Sequence, residues 1–418
     1  MNIKNNIVSA LDIGTSKVCC MIANEETESI CKVIGVGYNK SQGINSGIIT
    51  DFFAAINSIS SSIKSAEKQA GVKVKNGLSV SISSANTKTK LFKSKISIKE
   101  KKVSNLDISE SLNQLVKNDF FSNKKVIYAA PVGFSIDEAS GIKNPIGMFG
   151  KNIEVEFILS YIGFSHYKNY IECINQCGVD VNKIIISSTA AGYAVLNENE
   201  LSLGSVIVDM GSKTTSLSMF SENNFIFSDA LNYGGDDITN SLARKFGITL
   251  EEAEKLKVMH SSVIESNEDN EVFLEIPSIN SDNSEDYIQI TRREILEVTK
   301  PIINNILLWI QETINKSGHI NSIGRVIVFT GGASQIDGLL VLAKDVIGYN
   351  SRIGLPKELR FNFFNNIDTS YSVVAGLLQQ EIYLNEREEK IFFNKKSINE
   401  QKLSFTSIKN WLSENFFN

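Results

Sequence analysis

The chain has 418 residues, too many for one compact core, so two lobes or several subdomains are expected. A net charge of −5 argues against a nucleic-acid-binding body, because phosphate contacts require a basic surface. No run approaches the roughly twenty apolar residues that a membrane-crossing helix needs, and the N-terminus meets Asp12 and Gly14 too early for a signal peptide, so a cytoplasmic address is expected.

From the N-terminus, IVSALDIGTSKVCCMIA, the polar turn NEETES and ICKVIGVGY alternate like strands. They predict a β-meander with a tight turn, DIGTSK, between its first two strands. TDFFAAINSISSSIKSAEKQAG (50–71) predicts an amphipathic helix closed by Gly71, and LSVSIS (78–83) another strand. Residues 84–160 form a distinct block with a Lys-rich segment, a helix near 105–118, the strand KVIYAAPVGFSI and the stretch GIKNPIGMFG. A helix is expected over 165–178, with Ser165 as its cap and Gly178 as its stop.

The pattern then restarts. GSVIVDMGSKTTSLSMF (204–220) repeats the first motif: an apolar strand, Asp-x-Gly, hydroxyl residues with a Lys, and a second strand. TLEEAEKLKVMH (249–260) predicts a helix opened by a Thr249/Glu252 capping box. Residues 261–286 are acidic and read as loops or short strands, and 291–318 as a long helix or a pair divided at Pro301. VIVFTGGASQIDGLLVLAKDVIG is strand, glycine turn, helix. Two copies of one strand-turn-strand unit, about two hundred residues apart, imply two similar lobes facing each other.

The five Cys (19, 20, 31, 173 and 177) lack paired C-x-x-C spacing and fit reduced thiols rather than zinc. The three His (166, 260 and 319) lie far apart and receive no catalytic role.

Singly, each Asp-Gly or Gly-Gly turn is an ordinary turn. Together they form a pattern. Backbone N–H groups of Gly/Ser/Thr turns converge on phosphate oxygens, with a hydroxyl and an ammonium adding bonds. Two such turns, Asp12 to Lys17 and Asp209 to Thr215, would clamp a polyphosphate from both sides. Asp12 and Asp209 would hold a hydrated Mg2+ through its waters. The Gly-Gly of TGGAS would let a nucleoside lie against bare backbone. Neither a P-loop nor a dinucleotide fingerprint is present.

ALDIGTSK, VIVDMGSKTTSLSMF and VIVFTGGASQIDGL resemble the two phosphate motifs and the adenosine motif of the actin, sugar-kinase and heat-shock ATPase superfamily. Within it the chain resembles the bacterial FtsA family from end to end. GIKNPIGM, NYGGDDITNSLARKFGITLEEAEKLK, SRIGLP (351–356), SYSVVAGLL (370–378) and the amphipathic C-terminus carry that resemblance. It implies an α/β, actin-like fold of duplicated ribonuclease H-like lobes with a nucleotide cleft. Lobe IA would comprise 1–83 and 163–195, the family's own IC subdomain 84–162, lobe IIA 196–228 and, with a return to IA, 306–384, and subdomain IIB 229–305.

The resemblance further implies an ATP site. Asp12, Gly14, Thr15, Ser16 and Lys17 would form phosphate loop one, and Gly211, Ser212, Lys213 and Thr214 loop two. Gly331, Gly332 and Ala333 would face the adenosine. Glu254 and Lys257 match positions that hold ribose and base in relatives, with an exposed helix charge pair as the alternative. SSTAAGYA (187–194) would connect the lobes. Asp209 would stand near the metal or the attacking water and is the one catalytic candidate. No Glu or Gln that would orient that water can be placed, so ATP binding with at most slow hydrolysis is expected.

At the C-terminus, Phe405, Ile408, Leu412 and Phe416 recur at three- and four-residue steps, with Trp411 and Phe417 flanking. They make an apolar stripe on a helix over 404–418. Such a helix could dock on its own body, but 385–403 reads as a polar tether that detaches it. The resemblance makes it a membrane-targeting helix, marginal singly and firm when a polymer displays many. Lys409 is its only cation, so dependence on anionic lipid should be weak.

The implied partners are the C-terminal peptide of FtsZ, met through Arg292, further copies of the chain in filaments, membrane lipid and later divisome proteins, with no nucleic acid. The implied location is the cytoplasmic side of the cell membrane at the division septum. A pilus-assembly adaptor or rod-shape filament would lack GIKNPIG, and a small-molecule kinase would need a catalytic Asp base for which no candidate is found.

Overall fold

The structure, a computed structural model, describes residues 7–27, 30–75, 77–266, 269–271, 273–277, 287–357, 359–361 and 367–390. The first lobe opens with the meander β1 (Ile7–Ile13), β2 (Lys17–Thr27) and β3 (Ile30–Lys40), antiparallel throughout. A small hairpin, β4 (Ile44–Asn45) and β5 (Ile48–Ile49), leads to α1 (Phe52–Ala70) and then to β6 (Leu78–Ile82), parallel to β1. Both faces of this sheet are covered, so its strands are apolar on both sides. Leu11, Ile13, Val18, Cys20 and Ile22 pack towards Ile59 and Ile63 of α1. The alternate residues Val8, Ala10, Cys19 and Met21 pack in a second core with Val374, Leu377 and Leu378. Burial pushes the Cys19 thiol up to about 12, so it is inert packing.

An insertion follows, with β7 (Thr87–Ser97), α2 (Asn105–Val116), β8 (Lys124–Ile136), β9 (Ala139–Ile142) and β10 (Asn152–Gly163). Its antiparallel sheet runs β7-β10-β8-β9 and has its own core, built on Phe134, Phe157, Ile98 and Ile108. The chain returns through α3 (Phe164–Asn175) and β11 (Val181–Ile186), parallel to β6. Ser165 does not cap α3. Gly163 holds the N-cap without a side-chain bond, and Ser165 lies inside the first turn. The helix ends at a Gln176 C-cap, two residues before the left-handed Gly178.

Helix α4 (Ser187–Val195) carries the chain across, and after α5 (Glu198–Leu203) the plan repeats: β12 (Ser205–Met210), β13 (Thr215–Ser221) and β14 (Asn224–Leu231). Then come α6 (Gly235–Phe246), α7 (Leu250–His260), the hairpin β15 (Phe273–Pro277) and β16 (Tyr287–Thr291), α8 (Arg292–Lys316), β17 (Val326–Thr330), α9 (Leu339–Ile347) and β18 (Asn350–Ile353). The second sheet runs β18-β17-β12-β13-β14, and the first runs β11-β6-β1-β2-β3, with β19 (Leu359–Phe361) added at its outer edge. Order and strand direction are the same in both lobes. Even the registers coincide: Ile13 faces Val18 where Met210 faces Thr215, and Asp12 faces Cys19 where Asp209 faces Ser216.

Helix α8 is a single element through Pro301. Ile295, Leu296, Ile302, Ile303, Ile306 and Leu307 are buried on both sides of the proline, and that burial outweighs the missing hydrogen bond. The Thr249 hydroxyl accepts the Glu252 N–H at 3.2 Å, but the Glu252 carboxylate turns to Lys255 at 2.8 Å, so the capping box is half made. Helix α10 (Ser372–Lys390) enters the segment expected as a tether from 385, so the first six residues of that segment are helical. The remainder of the tether, and the stripe of Phe405, Ile408, Trp411, Leu412, Phe416 and Phe417, lie outside the described residues.

Where the lobes join, α4 packs against α10. A chain of buried hydroxyls runs beside this contact from Ser84 to Ser188 (2.8 Å) and on to Ser218 of the second lobe (2.7 Å), with Thr189 also reaching Ser218 at 3.2 Å. The insertion touches the second lobe as well, through the edge-on rings of Tyr128 and Phe225. The α4–α10 approach is as close as backbone allows, since a Cβ built on Gly376 would sit 1.8 Å from the carbonyl oxygen of Ala190. Gly376→Ala is therefore expected to destabilise the protein by about 1–3 kcal/mol, seen as a lowered thermal midpoint against wild type.

Candidate functional site

The ends of β1 and β12 bring their hairpin turns to opposite sides of one cleft of about 530 Å³. The turns share their closing bond: Gly14 N–H donates to Lys17 O at 3.0 Å, and Gly211 N–H to Thr214 O at 2.9 Å. Asp12, Gly14, Thr15, Ser16 and Lys17 line one side; Asp209, Gly211, Ser212 and Thr214 line the other. Lys213 does not line it. Its ammonium reaches across to Asn45 Oδ1 of the first lobe at 3.2 Å.

Ser81, at the end of β6, holds the first carboxylate. Its hydroxyl donates to Asp12 Oδ1 at 2.7 Å and accepts the Ile13 N–H at 3.2 Å. Burial raises the Asp12 carboxyl above its usual range, against the opposing pull of Ser81 and the Lys17 charge. Asp209 lacks such help. Burial first, and then the charge of Asp12, push it up to about 7. Two buried carboxyls at one cleft, the first adding to the burial cost of the second, make a place where a cation would gain from both.

The second turn is pinned to the start of α6, where Gly235 N–H donates to Gly211 O at 3.0 Å and Asp236 N–H to Ser212 O at 2.7 Å. Ser212 Oγ is buried against the cleft and has no hydrogen-bond partner among the described residues. A hydroxyl left unpaired in a polar cavity fits a ligand oxygen. Lys257, on α7, is 12% exposed, although its partner Glu254 at 2.7 Å is 49% exposed. The ammonium also reaches Thr239 Oγ1 at 3.0 Å and Gly235 O at 3.3 Å. Both residues line the cleft, so this is not a solvated surface pair.

Gly331, Gly332 and Ala333 close the cleft from the end of β17. Gly331 has φ 85°, and a Cβ there would meet Asp209 Oδ1 at 2.4 Å and Met210 O at 2.5 Å. Arg292 lies elsewhere, as the first residue of α8, half-buried behind a Thr291 cap. The sequence motifs missed Ser81, Asp236 and the segment Asp368 to Ser370, all of which line the cleft. SYSVVAGLL was noted for its family resemblance, but nothing in its spacing points to this location.

Two lobes of identical strand order around a polar cleft define an actin-like α/β protein. Solved structures share this fold: a PilM-PilN type IV pilus biogenesis complex has a TM-score of 0.64 at 15% identity, over 90% of this chain and 98% of that one. MreB5 of Spiroplasma citri bound to ADP has a TM-score of 0.56 at 15% identity, over 92% and 99%. Residues 84–160 match the family described as "SHS2 domain inserted in FTSA", and 206–376 that described as "Cell division protein FtsA". Proteins named cell division protein FtsA are 32% identical in Agrobacterium fabrum (84% of this chain, 82% of the relative), 30% in Buchnera aphidicola subsp. Baizongia pistaciae (99% and 99%) and 26% in Escherichia coli (92% and 92%). The chain belongs to the FtsA family of cell division proteins.

Two tests of the site's energetics follow from its geometry. Because Asp209 titrates near 7 in the fold and at an ordinary 3.8 otherwise, the folded protein holds an extra proton between those values. Its stability contribution is complete below the lower value and is lost as pH rises through the upper one. Asp209→Asn should therefore raise the thermal midpoint above wild type at pH 8, without divalent cation, and bring little change at pH 4. Gly331→Ala should cost about 1–3 kcal/mol of stability in the same melting assay, from a strained φ and contact with Asp209.

Proposed function

We propose that the cleft binds ATP with Mg2+ and that the protein polymerises and anchors FtsZ filaments to the cytoplasmic membrane at the division septum. The observation that carries the nucleotide reading is the pair of register-matched turns facing each other, each presenting a carboxylate, with the unpaired Ser212 hydroxyl beside them. On this reading Gly14, Thr15, Ser16 and Lys17 hold phosphate from one side, and Gly211, Ser212 and Thr214 from the other. Lys213 closes the mouth or swings in from Asn45. Glu254 and Lys257 face the ribose and base, and Gly331, Gly332 and Ala333 the adenosine. MreB5 of Spiroplasma citri, which shares the fold, was solved with ADP and also with AMPPNP.

Asp12 and Asp209 would hold the ion through its waters, and bound Mg2+ would supply charge neutralisation at the phosphates. A carboxyl near 7 such as Asp209 could also accept a proton from an attacking water, with slow hydrolysis at most. Titration of the protein with MgATP tests the site. Lys17→Met or Ser212→Ala should weaken affinity by about tenfold, and wild-type protein that takes up no nucleotide would end the reading.

The tail 404–418 would lie in the membrane surface and the second lobe's α7–α8 region would receive the FtsZ C-terminal peptide, with Arg292 facing its acidic residues. Self-association into filaments would multiply the weak tails into a firm attachment, and later divisome proteins would join at the septum. The full chain should co-sediment with liposomes and recruit FtsZ, whereas a chain ending at residue 403 should recruit FtsZ but stay in the supernatant. Arg292→Glu should weaken FtsZ-peptide affinity by roughly tenfold; an unchanged affinity removes Arg292 from that contact.

A further inference from the structure

Lys17 leaves the first turn and meets a segment that arrives from the far end of the chain. Its Nζ donates to Ser370 Oγ at 2.7 Å and lies 3.8 Å from the centre of the Tyr371 ring. Both residues belong to the 3-10 turn Thr369–Tyr371, which Asp368 caps by accepting the Ser370 N–H at 2.8 Å. The same turn is fastened to the second lobe. Gly331 N–H donates to Thr369 O at 3.2 Å, Thr369 Oγ1 donates back to Gly331 O at 2.7 Å, and Thr330 and Ser372 share a hydroxyl bond of 2.6 Å. The turn is thus fixed from one lobe while it offers a hydroxyl and a ring face to an ammonium of the other.

A lysine side chain loses considerable rotamer entropy when it is held for a ligand. Here that ordering is done in advance. The ring attracts the ammonium without consuming an N–H, and Ser370 takes one of the three, which leaves two for an anion. Among the described residues no carboxylate lies within ion-pair distance of Lys17, and its charge acts on Asp12 only from further off. We infer that Ser370 and Tyr371 are positioning residues for Lys17, so that the C-terminal segment completes the phosphate-binding side of the first lobe. This rests on the nucleotide reading above.

The test is calorimetric titration of the full chain with MgATP and, separately, with AMP, which lacks the outer phosphates. Tyr371→Leu should weaken MgATP by about tenfold and leave AMP unchanged, while Tyr371→Phe, which keeps the ring face, should match wild type. Ser370→Ala should weaken MgATP about threefold, and it carries the test if Tyr371→Leu fails to fold. In a Lys17→Met background, Tyr371→Leu should add no further loss, because the group it positions is gone. Equal weakening of MgATP and AMP would mark a merely structural role and overturn the inference. Tighter MgATP binding by Ser370→Ala would show that the turn competes with phosphate, and would overturn it too. Wild type that binds MgATP, with an ATP-to-AMP ratio unmoved by either variant, sinks this inference alone; wild type that binds neither nucleotide sinks the nucleotide reading along with it.

Discussion

Two hairpin turns can face each other across a cleft only if the sheets that carry them meet closely behind it. In this chain the meeting is made by α4 and α10, where Gly376 lies against the backbone of Ala190 with no room for a methyl group. The run SSTAAGYA supplies small residues on the α4 side, and Gly192 in turn leaves space for the Phe220 ring of the second lobe. Larger side chains would push the helices apart and move Asp12 and Asp209 away from each other. The polar chemistry at the front of the cleft therefore depends on apolar shape at its back.

The cleft's electrostatics follow from that forced proximity. Of the two equivalent aspartates, the first has Ser81 and Lys17 to offset burial, whereas in the second burial and its neighbour's charge act in the same direction. Duplication makes the backbone geometry symmetric, but the surroundings break the symmetry. Burial raises both carboxyls, and for Asp209, where no partner opposes it, the rise reaches about 7. A cation in the cleft would relieve both carboxyls of part of the cost of their burial.

Much of this architecture was legible in the residues. The strand-turn-strand repeat stood out because period-two alternation and an Asp-x-Gly turn are local signals, and it carried the duplicated sheet order with it. Gly71 closed α1 in the left-handed conformation that its position suggested. Long-range packing decided the remainder. Pro301 left one long helix or a pair open, and the isoleucines on both sides, which belong to one buried face, decide for one helix, a fact about neighbours rather than about the segment. Ser165 had the right chemistry for a cap but sits two residues past the N-cap Gly163, within the margin by which helix ends are uncertain. Ser81 and Ser370 have no local signature at all, because their partners lie 69 and 353 residues away along the chain.

The hydroxyls of Ser84, Ser188 and Ser218 sit at the crossing between the lobes, in a region that excludes water. Either member of each pair can be the donor, and each hydroxyl rotates about a single bond. Small displacements of one lobe past the other can thus be absorbed by turning protons, with no polar atom stranded in a dry interior. Charged or amide groups in those places would have admitted one alignment only. Hydroxyls thus give the crossing a tolerance of alignment that its backbone contact at Gly376 does not share.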